Sequence, residues 1–324
     1  MTVAVRSFAK INIGLYIGAR RTDGFHPLRT VYQTIALHDV IRIEVGRGTG
    51  INIRCDDPRV PLDSSNTCYR IAASVADALK ARGKVTVAIE KNLPVQSGLG
   101  AASSNAVATM AGLERALKKR LSGAERLRIA AEIGSDLPLF LIAGTALGVG
   151  RGEEVYPLPD LSSIPIVVVT PQVGVSTPKA FADWDKLVAS HPQLTQSGSS
   201  DRLFEVGCAL SAWLSKYPDA GAPARGGGRA GSLLSDLVRA GIENDFERVV
   251  FPQFPELRDI KCALVRAGSR YASLSGSGST LYGLFDSPAE AATAVKRLQK
   301  KGLKALATRT LTRREYWSKL SISR

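Results

Sequence analysis

The sequence contains few residues of the kinds that build disulfide scaffolds and metal centres. Its 324 residues include 4 cysteines and 3 histidines. The cysteines are far apart, with no CxxC pair and no Cys/His grouping of metal-ligand spacing; they are Cys55, Cys68, Cys208 and Cys262. This pattern indicates small buried thiols in a reducing compartment rather than a disulfide framework or a zinc site.

Long apolar runs are also missing. No segment approaches the roughly 18 uninterrupted apolar residues of a membrane span, and the opening MTVAVRSFAKIN lacks the apolar core of a secretory signal. We therefore expect a cytoplasmic protein with no membrane partner. A glycine-rich stretch at 217–231, YPDAGAPARGGGRAG, predicts a flexible surface loop.

Acidic residues are outnumbered. The chain has 43 Lys and Arg against 29 Asp and Glu, a formal net charge of +14. A basic surface attracts polyanions, either nucleic acids or multiply phosphorylated small molecules. The basic residues are spread along the chain, which argues against a disordered nucleic-acid-binding arm.

The hydrophobic pattern predicts an α+β protein of two lobes, residues 1–160 and 161–324. Strand-like and helix-like segments are mixed in the first lobe, and a buried strand restarts the pattern after residue 160. The segments that read as strands are 3–18, 40–45, 51–55, 85–91 and 164–171. Near the end, the order helix, strand, turn, strand, helix, strand is typical of a ferredoxin-like layer.

A glycine turn precedes a predicted helix in PVQSGLGAASSNAVATM, residues 94–110. Gly98 and Gly100 let the backbone approach a ligand closely. The small residues that follow leave the first N–H groups of the helix uncovered, which is the chemistry of an anion site. From the residues alone, a phosphate site and a turn required for packing are equally good interpretations.

Two charged residues sit in apolar surroundings. Lys10 and Asn12 are two apart in a predicted strand and share a face. A lysine there needs an anionic partner. Asp136 precedes the apolar run LPLFLIAG and reads either as a helix N-cap or as that partner.

These motifs together resemble the GHMP small-molecule kinases. The resemblance rests on AKINIGL, PVQSGLGAASSNA, GSDLPLF and SLSGSGSTLYG, in this order, and covers nearly the whole chain apart from about 190–232. It implies a two-domain GHMP kinase fold, with an N-terminal lobe like domain 2 of ribosomal protein S5 and a C-terminal ferredoxin-like lobe. Within the superfamily, the resemblance is greatest to the group that phosphorylates the 2-hydroxyl of 4-diphosphocytidyl-2-C-methyl-D-erythritol in non-mevalonate isoprenoid biosynthesis.

The resemblance also implies roles for residues. Lys10 and Asp136 would be catalytic, and ATP with Mg²⁺ would be the cofactor, with no metal ligand identified. ATP would be held by Asn66, Pro94, Gly98, Leu99, Gly100, Ala101, Ala102, Ser103 and Ser104. Ala101 and Ala102 replace glycines usual in the family. Alanine favours helix by about 1 kcal/mol over glycine, so the anion site is expected to survive.

The substrate side would comprise Asn12, Phe25, His26, Phe181, Gly276 and Gly278. Here His26 would meet the edge of cytosine, and the two phenylalanines would stack on it. We expect a monomer or weak homodimer without a nucleic-acid partner. Two alternatives stay open at this point: a GHMP kinase for a mevalonate- or homoserine-type alcohol, and an S5-like nucleic-acid-binding protein.

Overall fold

The computed structural model describes residues 2–161, 163–194 and 242–322. The loop predicted at 217–231 lies outside these ranges. Within them, no helix is both long enough and apolar enough to cross a membrane.

The first lobe is built on a six-stranded sheet. Its strands are β1 (Thr2–Ile17), β2 (Leu28–Gly46), β3 (Ile51–Cys55), β4 (Lys84–Glu90), β5 (Thr145–Val149) and β6 (Glu154–Pro157). The order is β3-β4-β2-β5-β6, and β1 pairs with β2. The alternation of buried and exposed residues in β4 follows its sequence, KVTVAIE, whose valines and isoleucine face the core.

Helices cover this sheet. They are α1 (Thr67–Ala78), α2 (Ala101–Leu117), α3 (Gly123–Ile133) and α4 (Leu137–Ile142). Residues at helical spacing, such as Ile71 and Val75 of α1, join sheet residues such as Ile43 and Val87 in one hydrophobic core. Ser122 begins α3 with a capping box to Glu125, which fixes where that helix starts.

The second lobe contains a four-stranded antiparallel sheet. Its strands are β7 (Pro165–Val169), β8 (Tyr271–Leu274), β9 (Leu281–Leu284) and β10 (Ala305–Arg309), in the order β10-β7-β9-β8. The helices here are α5 (Thr177–Ser190), α6 (Glu247–Gln253), α7 (Pro255–Arg266) and α8 (Pro288–Gln299), with a short 3₁₀ turn at Pro192–Leu194. This arrangement agrees with the predicted ferredoxin-like layer.

The chain then returns to the first lobe. The final helix, α9 (Arg313–Leu320), places Tyr316 and Leu320 in the core under the first sheet. The division of the chain at residue 160 stays a prediction.

A third core joins the two sheets. Ile11 and Ile13 of β1 pack in one cluster with Val168 and Tyr282 of the second sheet. The Tyr282 hydroxyl donates to the carbonyl of Asn12 at 2.6 Å. Strand β1 of the first sheet therefore also packs against the second lobe.

Candidate active site

A cavity of about 1010 Å³ lies at the junction of the lobes. Most of the predicted site residues line it, although they come from distant parts of the chain. Those that do are Lys10, Asn12, Phe25, His26, Asn66, Pro94, Gly98, Gly100, Ala101, Ala102, Ser103, Asp136, Phe181 and Gly276.

Three of the predicted residues are not brought to the cavity wall. Leu99 is fully buried in the core between the sheets. Ser104 turns inward, and its hydroxyl donates to the carbonyl of Phe8 at 2.7 Å. At Gly278, a Cβ would point toward Leu274 at 3.0 Å rather than into the cavity.

Lys10 is held by a chain of hydrogen bonds. Its Nζ donates to Asn12 Oδ1 at 2.7 Å, and Asn12 Nδ2 donates to Thr30 Oγ1 at 2.8 Å. This second bond fixes the Asn12 amide with its oxygen toward the ammonium. The side chain of Lys10 is only 4% exposed and lies 3.6 Å, Nζ to Oδ2, from Asp136. The predicted anionic partner of the lysine is therefore present.

Asp136 does not cap the helix that follows it. It occupies the N-cap position of α4 without a side-chain capping bond. Its Oδ1 instead accepts from the Tyr32 hydroxyl at 3.1 Å, and its side chain is 34% exposed. Of the two interpretations that the sequence allowed, the structure supports a carboxylate presented to the cavity.

Tyr32 was not among the predicted site residues. It lies on β2 directly opposite Asn12. Burial, followed by the charge and hydrogen bond of Asp136, holds the pKa of Tyr32 well above its ordinary value. The hydroxyl therefore remains a hydrogen-bond donor to the carboxylate at neutral pH.

We expect Tyr32→Phe to lower kcat by about 10-fold, because it removes a hydrogen bond to a charged group. Since the Tyr32 pKa is raised, the wild-type to variant ratio should stay constant between pH 6 and about 9. Steady-state kinetics across that range check both statements. Tyr156→Phe, at an exposed position of β6, is the control. An unchanged kcat in Tyr32→Phe would contradict this role.

The N-terminus of α2 opens onto the same cavity. Gly100 precedes the helix with φ +69° and makes no side-chain cap, so the N–H groups of Ala101, Ala102 and Ser103 have no partner within the helix. A Cβ on Gly100 would lie 3.0 Å from Lys10 Cγ. The carbonyl of the preceding residue accepts from the Lys10 backbone N–H at 3.0 Å. The lysine and the helix terminus are thus fixed to each other.

The two glycine turns also contact each other. Ser275 Oγ donates to the carbonyl of Gly98 at 2.9 Å, and the N–H of Thr280 donates to the carbonyl of Ser97 at 3.1 Å. A Cβ on Gly98, where φ is +78°, would lie 2.0 Å from the Ser275 carbonyl oxygen. Packing against Ser275 therefore requires a glycine at position 98, in addition to any access that the glycine gives to a ligand.

We expect Gly98→Ala to lower the free energy of unfolding by more than about 3 kcal/mol, or to displace one turn and impair turnover. The matched control is Gly302→Ala. There φ is +77° and the space around a new Cβ is open, so only the cost of about 1–2 kcal/mol for the left-handed backbone applies. Denaturant unfolding of both variants measures the difference. Equal destabilisation would show that the contact between the turns is unimportant.

At the other end of the cavity lies an aromatic group. The rings of His26 and Phe181 are stacked with centroids 5.1 Å apart, and His26 Nε2 lies 2.7 Å from Asp185 Oδ1. Phe25 is 50% exposed, with the guanidinium of Arg151 4.8 Å from its ring centroid. Asp185 and Arg151 were not predicted from the sequence.

Asn66 lines the cavity but its side chain is already engaged. It caps α1 by accepting from the N–H of Cys68 at 2.8 Å, and it donates to the carbonyl of Pro61 at 2.6 Å. Thr67 Oγ1 donates to the carbonyl of Ala102 at 3.0 Å, which ties α1 to the start of α2. These bonds fix the Asn66 side chain at this end of the cavity, and its contact with ATP stays a prediction.

The sequence is similar to known kinases. Residues 66–144 match the family described as GHMP kinases N terminal domain, and residues 229–304 match GHMP kinases C terminal. The chain is 37% identical over 282 residues to 4-diphosphocytidyl-2-C-methyl-D-erythritol kinase of Solibacter usitatus, covering 87% of this chain and 80% of that protein.

Solved structures agree with the fold. A crystal structure of 4-(cytidine 5'-diphospho)-2C-methyl-D-erythritol kinase superposes with a TM-score of 0.69 at 27% identity, over 95% of this chain and 98% of that chain. Homoserine kinase from Cytophaga hutchinsonii gives a TM-score of 0.71 at 19% identity, over 96% and 95% of the two chains. The predicted two-domain fold is confirmed. Since both structures share it, the fold alone does not select the substrate.

Proposed function

The chain belongs to the GHMP kinases, in the family of 4-diphosphocytidyl-2-C-methyl-D-erythritol kinases, and we propose that it transfers the γ-phosphoryl group of ATP to the 2-hydroxyl of that diphosphocytidyl polyol. The transfer is a step of non-mevalonate isoprenoid precursor biosynthesis. The observation that carries the proposal is the Lys10–Asp136 pair, which faces the same cavity as the open N-terminus of α2.

In the proposed reaction, Asp136 orients the alcohol and accepts its proton. The Asp136 carboxylate is partly exposed to the cavity. Its Oδ2 lies near Lys10 Nζ, and its Oδ1 accepts from the Tyr32 hydroxyl. Phosphoryl transfer depends mainly on positioning and on neutralising charge. The ammonium of Lys10, fixed by Asn12, stabilises the negative charge that develops near the transferred group.

The family uses ATP as phosphate donor, and the start of α2 is the proposed site for its phosphates. The N–H groups of Ala101, Ala102 and Ser103 and the positive end of the helix dipole favour an anion here. The two alanines add little bulk, so the phosphates can approach the backbone as they would with glycine.

The residues present fit a magnesium ion bound largely through phosphates. In the described part of the chain, no group of three or more His, Cys, Asp or Glu side chains could hold a metal by itself. Mg²⁺ commonly uses one or two protein oxygens together with substrate phosphates and water. The Ser103 hydroxyl is an oxygen donor at this wall that would help to hold it. When bound, the ion would neutralise phosphate charge.

The aromatic end is the proposed cytosine site. A carboxylate only accepts hydrogen bonds, so the Asp185 contact places a proton on His26 Nε2. In the neutral ring, Nδ1 is then an acceptor for the exocyclic amino group of the base. Phe25 and the face of Phe181 that is not stacked on His26 supply apolar surface at the same end, and stacking of a base on an aromatic ring is worth about 1–3 kcal/mol.

The test is ATP consumption with three acceptors. The diphosphocytidyl polyol should support rapid ADP formation and give a phosphorylated product, whereas mevalonate and homoserine should support rates no greater than the background. Turnover of mevalonate or homoserine alone would assign the chain to another GHMP activity. Salt-sensitive RNA binding without turnover of any alcohol would reject the kinase proposal.

A further inference from the structure

One arginine stands between the two ends of the cavity. It belongs to the turn that connects β5 to β6. On one side, the Arg151 guanidinium lies 4.8 Å from the ring centroid of Phe25. On the other side, a Cβ on Gly152 would lie 2.6 Å from the hydroxyl oxygen of Tyr32, which donates to Asp136. The turn that carries Arg151 therefore contacts residues of both the aromatic end and the carboxylate end.

This arginine is anchored by its backbone and by Nε. Its backbone N–H donates to Glu153 Oε2 at 2.6 Å, and Nε donates to Glu153 Oε1 at 2.9 Å. Burial would raise the pKa of Glu153, but hydrogen bonds from its own backbone and from Arg151 outweigh it and lower the pKa. Glu153 is thus a charged anchor at neutral pH.

The anchoring leaves the outer edge of the guanidinium available. Its two terminal nitrogens make no hydrogen bond to any residue in 2–161, 163–194 or 242–322. Arg151 lines the cavity and is 39% exposed. A planar guanidinium whose terminal N–H groups face open space binds phosphate oxygens in a forked geometry.

The other cations near the aromatic end and the carboxylate end are used differently. Lys10 is bound to Asn12 and lies beside Asp136. Arg20 Nη1 lies 3.7 Å from Asp185 at the outer rim, and its side chain is 61% exposed. Arg151 is a lining cation on a turn that contacts Phe25 on one side and Tyr32 on the other, where a group that links a base to an alcohol would pass.

We propose that Arg151 binds the diphosphate of the cytidine-linked substrate and so selects a nucleoside diphosphate ester over a free polyol. This inference depends on the proposed substrate. A diphosphate supplies oxygens for the terminal N–H groups that the pairing of Nε with Glu153 leaves unbonded, and it separates the base from the reacting alcohol. By holding the diphosphate, Arg151 would therefore also set the distance between the base and the reacting alcohol.

The experiment compares binding of CDP and cytidine by isothermal titration calorimetry, together with steady-state kinetics. Wild type should bind CDP more tightly than cytidine. Arg151→Gln should weaken CDP binding by about 10- to 100-fold, the loss expected for charge-assisted hydrogen bonds, and should leave cytidine binding unchanged. The KM for the diphosphocytidyl polyol should rise by a similar factor, while the KM for ATP stays within about twofold.

Two further variants complete the design. Arg128→Gln removes an equal charge from an exposed position of α3, where the arginine is paired with Glu132, and should change neither affinity. Arg151→Lys keeps the charge without the fork, so its CDP affinity should be intermediate; this variant decides the question if Arg151→Gln does not fold. An undiminished preference for CDP over cytidine in the folded Arg151 variants would overturn the inference.

The result is separable from that for the proposed function. If wild type fails to phosphorylate the diphosphocytidyl polyol, the proposed function is wrong, whatever the arginine does. If wild type turns it over and the Arg151 variants keep both the KM and the preference for CDP, only the role of Arg151 is wrong.

Discussion

Replacing Asp136 with asparagine should lower kcat by about 10²- to 10⁴-fold, the contribution typical of a positioned acid–base group. The amide keeps the shape and can still accept from Tyr32, but it cannot take the proton of the alcohol. Affinity for ATP should change by less than about twofold, because the proposed phosphate contacts are backbone N–H groups of α2. The measurements are kcat with the diphosphocytidyl polyol and nucleotide binding by calorimetry.

Asp286→Asn is the matched control for this substitution. Asp286 is exposed on the second lobe and paired with Arg270, so the same chemical change there should leave kcat unaltered. If the kcat of Asp136→Asn stays above about one tenth of the wild-type value, the loss is smaller than removal of a general base would cause. Asp136 would then be only a positioning group.

Lys10→Met should lower kcat by about 10²- to 10³-fold, as expected when a preorganised charge near the developing negative charge is lost. Methionine retains much of the length and apolar contact of the lysine stem. The loss should fall on kcat rather than on substrate affinity, because the charge acts mainly as the phosphoryl group transfers. Lys84→Met, at an exposed end of β4, is the control.

The alternative for Lys10 is a purely structural ion pair with Asp136. In that case Lys10→Met would reduce the melting temperature, while the folded protein would keep nearly its full kcat. Activity measured well below the melting transition distinguishes the two. The double variant with Asp136→Asn adds a second test, since residues that act as one unit show strongly non-additive losses.

Much of the candidate site could be predicted from local patterns. Lys10 and Asn12 are two apart on a strand, which places them on one face whatever the tertiary structure. A charged residue in an apolar strand requires a partner, and Asp136 is that partner in the structure. The small residues after Gly100 predict that the first N–H groups of the helix are uncovered, and the structure shows no side-chain cap there.

Tyr32 could not be found in this way, because its strand lacks an alternating pattern. Residues 30–35 of β2 are buried on both faces, since the strand is covered by helices on one side and by the second lobe on the other. Only 40–45 of this strand was predicted. The buried polar side chains Gln33 and Thr34 are satisfied by the carbonyl of Leu311, almost 280 residues away, which no local pattern reveals.

Arg151 was missed for a related reason. Its turn is positioned by β5, where Gly148 leaves room for the Tyr32 ring, since a Cβ there would lie 2.3 Å from Tyr32 Cε2. Ser104, in contrast, was predicted at the site but does not line the cavity. It adjoins Ser103 in sequence, but one residue along a helix rotates the side chain by about 100°, and its hydroxyl meets β1 instead of the cavity.

The most direct test of the account is a crystal structure of the protein with the diphosphocytidyl polyol and a non-hydrolysable ATP analogue. The account predicts the 2-hydroxyl oxygen within about 2.6–3.2 Å of an Asp136 carboxylate oxygen. It also predicts the analogue's phosphates at the N–H groups of Ala101, Ala102 and Ser103, and the cytosine beside His26. A polyol whose 2-hydroxyl lies away from Asp136, or phosphates bound away from the start of α2, would contradict it.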